Sequence, residues 1–293
     1  INMVLGASAA GARVITSSSS PGISLKSEGI SYIVGSDLPC VIVNVQRAGP
    51  GLGGIQPSQA DYFQATKALG HGDMHFIVLA PASVQEIATL TGEAFDLADI
   101  YRMPVMILAD GALGQMMEPV DFEEKKHREI PEKTWACTGT KGGRPHNIVN
   151  SLIIEPNELE SVLEERYKRY AEIEEKEVMY EEFMTDDAEI IVTAFGITAR
   201  IARTAVTAAR EKGIKAGLFR PITLWPFPQK AFDALGEQVK GFLTVEMNIL
   251  GQMADDVILA CGNRRPVESY GEFSEVPSEK KILDIAAEML KKH

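Results

Sequence analysis

The sequence predicts an α/β protein in which the strands of a parallel sheet alternate with helices. Short apolar runs, typical of strands buried on both faces, are followed by segments whose apolar residues recur at helical spacing. A single helix between successive strands requires a crossover connection, and such connections make neighbouring strands parallel. A charged stretch separates two regions of this kind, and 293 residues are enough for about two domains.

The first region carries the clearest alternation. The predicted strands cover 12–16, 41–45, 76–79 and 105–108, and the predicted helices cover 59–69 and 84 to about 100. We expect the strand at 12–16 to be buried. Each helix opens on a capping-box pattern, in which a serine precedes an acidic residue three positions on: Ser58 with Asp61, and Ser83 with Glu86.

The charged stretch, residues 156–187, threads apolar side chains through many Glu, Lys and Arg residues. This pattern predicts an amphipathic connecting helix with a solvated charged face. In the second region, strands are predicted over 190–194, 217–220 and 242–245, and helices over 197–211 and from about 252. We therefore expect a first domain over 1–125, an extension with the connecting helix over 126–187, and a second domain over 188–293.

Composition restricts the partners. The formal net charge is −12, from 41 acidic and 29 basic residues, which argues against a nucleic-acid or anionic-membrane surface. Cys40, Cys137 and Cys261 lie far apart, so we predict no disulfide framework and no metal site, and we expect any iron–sulfur cluster on another chain. With no long apolar run or leader pattern, the expected location is cytoplasmic.

A run of small hydroxyl residues joins the first predicted strand to a helical pattern. Ser18, Ser19 and Ser20 offer donors and acceptors without bulk, and Pro21 and Gly22 complete a turn in which backbone can approach a ligand closely. The turn should sit at the carboxyl end of a parallel strand, where open α/β sheets bind ligands. It is our candidate cofactor site, and a solvated serine-rich turn is the alternative.

A glycine-rich loop follows the strand predicted at 41–45. Gly49, Gly51 and Gly54 satisfy GxGxxG, but a dinucleotide fingerprint runs directly into a helix, whereas residues 55–58 intervene here. The loop also carries Arg47, whose planar guanidinium suits a bidentate grip on a carboxylate. Arg47, Gly49 and Gly51 are our candidate substrate-binding residues, and a surface ion pair is the alternative for Arg47.

The segment Gly70-His71-Gly72-Asp73 places an imidazole beside a carboxylate, a pair that can relay protons. The alternative is that the glycines end a helix and His71 bonds a carbonyl. The sequence has no Ser-His-Asp order, HExxH helix or Walker A loop, so we expect the chemistry to come from a bound cofactor.

Several motifs together carry a resemblance that spans essentially the whole chain. They are INMVLGA at 1–7, TSSSSPGISL at 16–25, QRAGPGLG at 46–53, GHGD at 70–73, RPITLWPFP at 220–228, VEMN at 245–248 and GQM at 251–253. In this order they resemble the alpha subunit of the 2-oxoacid:ferredoxin oxidoreductases, and within that family most resemble the 2-oxoisovalerate enzymes. The serine turn is also similar to the Thr-Ser-Gly-Pro-Gly turn of other thiamine diphosphate enzymes, with Ser20 replacing its first glycine.

The resemblance implies a pyrimidine-type thiamine diphosphate-binding domain followed by a transketolase C-terminal-like α/β domain. It implies that a beta subunit shares the thiamine diphosphate and holds Mg²⁺, and that gamma and ferredoxin-like subunits complete the complex, with 4Fe-4S clusters on partner subunits. The implied reaction is oxidative decarboxylation of a 2-oxoacid, of the 2-oxoisovalerate or 2-oxoglutarate class, with coenzyme A and ferredoxin. A homodimer contact through the first domain is expected.

In this family a glutamate that bonds the aminopyrimidine lies upstream of the position matching Ile1. We therefore assign no catalytic residue within the chain and expect it to be inactive alone. Ile1 falls within a helical pattern, so a preceding segment is also expected. Two other functions stay open: an NAD-dependent dehydrogenase that uses the Gly49–Gly54 loop, and a non-catalytic structural subunit.

Overall fold

The computed structural model describes residues 1–122, 128–140, 142–273 and 275–292. The helices are α1 Asn2–Ala9, α2 Pro21–Ser24, α3 Ser27–Gly35, α4 Val84–Tyr101, α5 Pro156–Lys176, α6 Gly196–Glu211, α7 Gln229–Ala234, α8 Gln252–Ala260 and α9 Glu279–Lys292. The strands are β1 Ile15–Ser18, β2 Cys40–Gln46, β3 Ile77–Leu79, β4 Pro104–Asp110, β5 Tyr180–Phe183, β6 Ile190–Ala194, β7 Ala216–Pro221, β8 Thr223–Trp225, β9 Gly241–Glu246 and β10 Val267–Gly271.

The first sheet has the strand order β1-β2-β4-β3-β8, and its first four strands are parallel. Strands of a parallel sheet all end at the same edge. The register places Ser18 beside Asn44, and Gln46 beside Asp110. Polar residues from the ends of β1, β2 and β4 are therefore collected at one edge, the carboxyl edge.

The second sheet has the order β10-β9-β6-β7-β5, in which only β5 is antiparallel to its neighbour among the described strands. Helices α6 and α9 pack together over one face, where alanines of α6 contribute to a buried cluster. Small side chains on that helix let it approach the sheet closely. Residues Phe219, Phe242 and Met253 lie in a different cluster, which also contains Leu79 of the first sheet.

The two sheets are joined by more than apolar packing. Strand β8 follows β7 in sequence but pairs antiparallel with β3, so a strand of the second region completes the first sheet. The side chain of Arg220, at 5% exposure, reaches from β7 to Glu86 at the start of α4 and also donates to Glu181. Burial opposes ionisation of Glu86, but the Arg220 guanidinium holds the pKa of that carboxyl below its usual value.

The α/β prediction and most of the predicted strands and helices are confirmed. The strand predicted at 190–194 is β6 itself. Of the charged stretch predicted as a helix over 156–187, residues 156–176 form α5, whereas residues 180–183 form β5. At α4 the Ser83 side chain accepts a hydrogen bond from the Glu86 amide, as the capping box predicts. The predicted boundary between 125 and 126 lies outside the described residues.

Two local predictions are wrong. The strand predicted as buried over 12–16 is Ile15–Ser18, an edge strand whose residues are alternately exposed and half-buried because only β2 pairs with it. The helix predicted over 59–69 starts late and is mostly of another type: residues 60–61 form a turn, residues 62–63 are α-helical, and a π-helix covers Gln64–Ala68. Its capping box does not form, because Asp61 N donates to the side chain of Gln46 instead.

No helix within the described ranges is both long and apolar enough to cross a bilayer.

Replacing Arg220 should destabilise the fold. Arg220→Met keeps much of the side-chain volume but removes the cation that Glu86 and Glu181 share; Glu181 still pairs with Arg203, whereas Glu86 loses its ion-pair partner. Breaking a buried ion pair from one side costs about 3–5 kcal/mol, and the partial exposure of both glutamates reduces this to about 2 kcal/mol. Urea denaturation should show this loss in the free energy of unfolding.

The matched control is Arg264→Met, because Arg264 pairs with Asp233 and both side chains are mostly exposed. It should leave the unfolding midpoint unchanged. Equal effects of the two substitutions would show that Arg220 does not join the sheets.

Candidate active site at the carboxyl edge

The serine turn is a tightly packed connection between β1 and α2. Strand β1 ends at Ser18, and Pro21 occupies the first turn of α2. A Cβ atom added to Gly22 would lie 2.0 Å from Ser18 Oγ, so a larger residue here would force the Ser18 hydroxyl to rotate. The hydroxyls of Ser18 and Ser19 make no side-chain hydrogen bond to any described residue, which leaves them available to a polar ligand.

Ser20 ties this turn to the loop after β2. It is buried and has a φ of 31°, a backbone conformation that non-glycine residues rarely adopt. Its hydroxyl donates to Asp61 Oδ2 at 2.6 Å and accepts from Arg47 N at 3.1 Å. Its amide donates to Asn44 Oδ1 at 3.1 Å, and Asn44 Nδ2 donates to the same Asp61 oxygen at 3.0 Å. These bonds hold the unusual Ser20 backbone in place.

Arg47 organises the glycine loop. Its Nη1 atom donates to the carbonyls of Leu52 and Gly54, at 2.5 and 2.8 Å. The Nε and Nη2 atoms, which form the other edge of the guanidinium, make no hydrogen bond to any described residue. A Cβ atom added to Gly49 or Gly51 would meet nothing within 4 Å. One edge of the Arg47 guanidinium is thus free, and the neighbouring glycines have open space around them.

The loop lacks the helix that a dinucleotide site needs. Arg47 forms an isolated bridge with Pro57, and the chain continues through residues 58–61 without entering an α-helix. The loop therefore provides no helix amino terminus that could hold a pyrophosphate.

Residues after the loop bind the second sheet. Gln59 N donates to Met247 O at 2.8 Å, and Gln59 Oε1 accepts from Met247 N at 3.0 Å. Gln59 Nε2 donates to Phe195 O at 2.8 Å, and Asn248 Nδ2 donates to Gln59 O at 3.2 Å. A Cβ atom on Gly196 would lie 3.0 Å from Gln59 Nε2, so the contact is close. The carboxyl ends of β6 and β9 therefore meet the carboxyl edge of the first sheet.

Two buried carboxyls lie along this junction. Burial raises the pKa of Glu246 to about 7, against hydrogen bonds from Met253 N and Asn248 Nδ2 that favour its ionised form. Burial also raises the pKa of Asp110, whose carboxylate accepts bonds from the amides that follow β4 and from Ile197 N. Each carboxyl is held by backbone amides from the start of a helix or turn.

The predicted His71 and Asp73 pair lies elsewhere. Both residues occupy a loop just before β3 begins, and strand β3 runs parallel to β4. The loop is therefore at the amino edge of the first sheet, opposite Ser20 and Arg47. Neither side chain makes a hydrogen bond to a described residue, so their proposed proton relay stays a prediction.

Sequence reasoning missed the residues that connect the site. Asn44, Gln46 and Asp61 position the serine turn. Gln59 connects that segment to the second sheet, where Glu246 accepts from Asn248, which in turn donates to Gln59. The sequence did contain one sign of them, which is a polar residue within an apolar run. An amide side chain in a strand buried on both faces requires a hydrogen-bond partner. In the described part of the chain, no group of three or more His, Cys, Asp or Glu side chains is arranged to hold a metal ion.

Residues 1–184 match the family described as "Pyruvate flavodoxin/ferredoxin oxidoreductase, thiamine diP-bdg", and residues 188–275 match "Pyruvate:ferredoxin oxidoreductase core domain II". The chain belongs to the 2-oxoacid:ferredoxin oxidoreductases. This oxidoreductase subunit therefore contains a thiamine diphosphate-binding domain, as the resemblance implies.

Curated relatives agree with this assignment. The oxidoreductase subunit is 53% identical to the ketoisovalerate oxidoreductase subunit VorB of Methanothermobacter marburgensis, over 90% of this chain and 74% of the relative. It is 34% identical to the 2-oxoglutarate synthase subunit KorA of Archaeoglobus fulgidus, over 97% of this chain and 82% of that relative.

A solved structure shares the fold throughout. The 2-oxoglutarate:ferredoxin oxidoreductase from Magnetococcus marinus, with 2-oxoglutarate, coenzyme A and succinyl-CoA bound, matches with a TM-score of 0.85 and 26% identity. The match covers 99% of this oxidoreductase subunit and 55% of that chain. A split-gene transketolase, at 14% identity and a TM-score of 0.60, shares the fold alone.

Glu246→Gln should remove a pH dependence of stability from the oxidoreductase subunit. Because the pKa of Glu246 is raised from 4.5 to about 7, the folded chain keeps a proton that the unfolded chain releases in this range. The contribution of Glu246 is therefore complete below about pH 4.5 and is lost as the pH rises through about 7, a change of about 3 kcal/mol. Urea unfolding at several pH values should show this loss in the wild type and not in Glu246→Gln.

The exposed Glu237 provides the control. Glu237→Gln should follow the wild-type pH profile. If Glu246→Gln also follows it, the buried carboxyl does not titrate as expected.

Proposed function

We propose that this chain is the subunit that supplies the pyrimidine side of a thiamine diphosphate site in a complex that oxidises 2-oxoisovalerate. The hydrogen-bonded junction of the serine turn with the Arg47 loop carries the proposal, since it joins a polar cradle to a carboxylate-binding group at one sheet edge. Identity of 53% to a ketoisovalerate subunit, against 34% to a 2-oxoglutarate subunit, favours the branched substrate.

Each candidate residue has a distinct role in the proposal. The free hydroxyls of Ser18 and Ser19 fit the polar edge of an aminopyrimidine, and the turn from Ser20 to Gly22 keeps backbone close to it. Bound thiamine diphosphate would supply the electron sink for decarboxylation. Arg47 would bind the substrate carboxylate through its free Nε and Nη2 edge, and Gly49 and Gly51 would leave room for the substrate.

Exposed apolar side chains support a partner subunit at this edge. Leu52 and Ile55 of the glycine loop and Ile249 and Leu250 after β9 are all strongly exposed. The Gln59 contacts with Met247 bring these two loops to the same junction. We assign to this surface a beta-type subunit that holds the diphosphate and Mg²⁺, which would also exclude water from the site.

The remaining assembly is proposed from the family. A ferredoxin-like subunit would carry the 4Fe-4S clusters and a gamma subunit would complete the complex. Coenzyme A would accept the acyl group, and ferredoxin would accept the electrons. The homodimer contact, the cytoplasmic location, the three-part division at 125/126 and 187/188, and the His71 and Asp73 relay stay predictions.

The chain alone should bind thiamine diphosphate weakly and gain binding with its partner. Titration calorimetry with Mg²⁺ should show no tight binding to the isolated chain, because the surface facing the diphosphate belongs to the beta-type subunit. The assembled complex should bind thiamine diphosphate and reduce ferredoxin with coenzyme A and 2-oxoisovalerate, more efficiently than with 2-oxoglutarate.

Tight binding to the isolated chain would refute the division of labour. Reduction of NAD in place of ferredoxin would favour the dehydrogenase alternative. An assembled complex that retains full activity without this chain would favour a structural subunit.

Arg47 substitutions should reduce catalytic efficiency in the assembled complex. Lysine keeps the charge but loses the fork, so Arg47→Lys should lower kcat/KM and Arg47→Ala should lower it further, by about 2–4 kcal/mol of transition-state stabilisation. Affinity for thiamine diphosphate should change little, because Arg47 faces the substrate in this proposal. Steady-state kinetics and calorimetry on the same complexes measure both effects.

Arg47 also holds its own loop, so a second comparison is needed. Leu52→Ala keeps the backbone carbonyl that Arg47 binds and tests changes in the loop tip alone. It should lower kcat/KM less than Arg47→Ala does, because it removes one apolar side chain of the partner surface and keeps the guanidinium. If Arg47→Ala retains near-normal kcat/KM for every 2-oxoacid tested, Arg47 does not bind the substrate.

A further inference from the structure

Helix α5 leaves its first half without tertiary packing. Every residue from 155 to 161 is exposed, and the buried positions of the helix begin only at Arg166. Residues 156–165 would extend for about 15 Å at 1.5 Å per residue. Isolated helices shorter than about 12–15 residues are marginal in water, so this half of α5 gains little stability by itself.

The projecting half carries an apolar strip. Leu159, Leu163 and Tyr167 recur at intervals of four residues and line a shallow groove of about 370 Å³. Leu159 and Tyr167 are each 40% exposed, and Ile154, just before the helix, is 79% exposed. We call these four residues the α5 face. Contiguous apolar surface of this kind is typical of a site that another protein covers.

The rim of the α5 face is acidic. Glu160 and Glu164 line the groove beside the apolar strip, Glu155 directly follows Ile154, and all three are exposed. The nearby cations are already engaged, since Lys168 pairs with Glu165 and Arg169 pairs with Asp37. A complementary partner must therefore be basic, and two copies of this face would bring like charges together.

The α5 face lies away from the candidate active site. Arg169, in the packed half of α5, binds Asp37 and the carbonyl of Tyr101. These residues lie just before β2 and β4 begin, so α5 packs at the amino edge of the first sheet. A partner on the α5 face would thus contact the chain at the opposite edge from Ser20 and Arg47.

We propose that the α5 face is the docking site for a partner subunit that presents an apolar ridge flanked by Lys and Arg side chains. The inference rests on the proposed function only in taking the partner to belong to the same complex. Binding would remove the apolar strip from water and neutralise its acidic rim, and it would order the unsupported half of the helix.

Hydrogen exchange tests the proposal on the full complex and on the isolated chain. Amides of residues 159–167 should exchange about 10-fold or more slowly in the complex, because docking suppresses local opening of the helix. Unchanged exchange in the complex would overturn the proposal. Slowing that depends on concentration in the isolated chain would also overturn it, in favour of self-association.

A matched pair of variants tests the surface itself. Leu159→Glu places a charge in the strip, and Leu259→Glu places one on the exposed side of α8, where Leu259 is 66% exposed. Sedimentation of the reconstituted complex should show about 10-fold weaker assembly for Leu159→Glu alone. The partner's affinity should also fall with added salt. If both variants assemble as tightly as the wild type does, the assignment is overturned.

The outcomes are separable from those of the proposed reaction. A complex that reduces ferredoxin but leaves α5 unprotected would retain the proposed function and reject the docking site. A complex that protects α5 but oxidises no 2-oxoacid would do the reverse.

Discussion

The candidate active site at the carboxyl edge depends on one short segment, residues 58–61, that is hydrogen-bonded to both sheets. Within it, Asp61 accepts from Ser20 Oγ at the first sheet. Gln59 exchanges hydrogen bonds with the main chain of Met247 at the second sheet. A buried polar group left without its partner costs about 1–3 kcal/mol. The segment therefore cannot move with one sheet without losing bonds to the other, and the serine turn is fixed relative to both.

The same constraint explains why the capping rule failed at Ser58 and held at Ser83. At α4 the Val84 amide donates to Glu118, but the Glu86 amide has no tertiary partner among the described residues, so the Ser83 side chain accepts from Glu86 N. Ser58 instead donates to Met247 O, and Asp61 N donates to Gln46. A local sequence rule assumes that the helix satisfies its own terminus, and here tertiary hydrogen bonds satisfy the amides better.

Sequence patterns predicted what is decided locally. Strands such as β6 and the long helix α5 were found because periodicity and buried apolar runs determine them. Strand β8 is three residues long and exists only through pairing with β3, which no local pattern reveals. The serine turn and Arg47 were each predicted from their position after a strand. Their contact was not, since it depends on Asp61 and on the register of β1 with β2.

The two edges of the first sheet place different demands on partners. Strand β2, with seven residues, separates them by about 23 Å at 3.3 Å per residue. The carboxyl edge offers exposed apolar loop tips beside polar groups, a surface suited to excluding water from a bound ligand. The α5 face offers an apolar strip with an acidic rim, which suits steering and orientation. A partner that contacts one edge alone can still rotate about that contact, whereas contacts at both edges fix its orientation. The Ser20–Asp61 bond fixes the serine turn relative to the first sheet, and the second half of α5 packs at the amino edge of that sheet. A partner bound to α5 would therefore also have a fixed position relative to the proposed cofactor site.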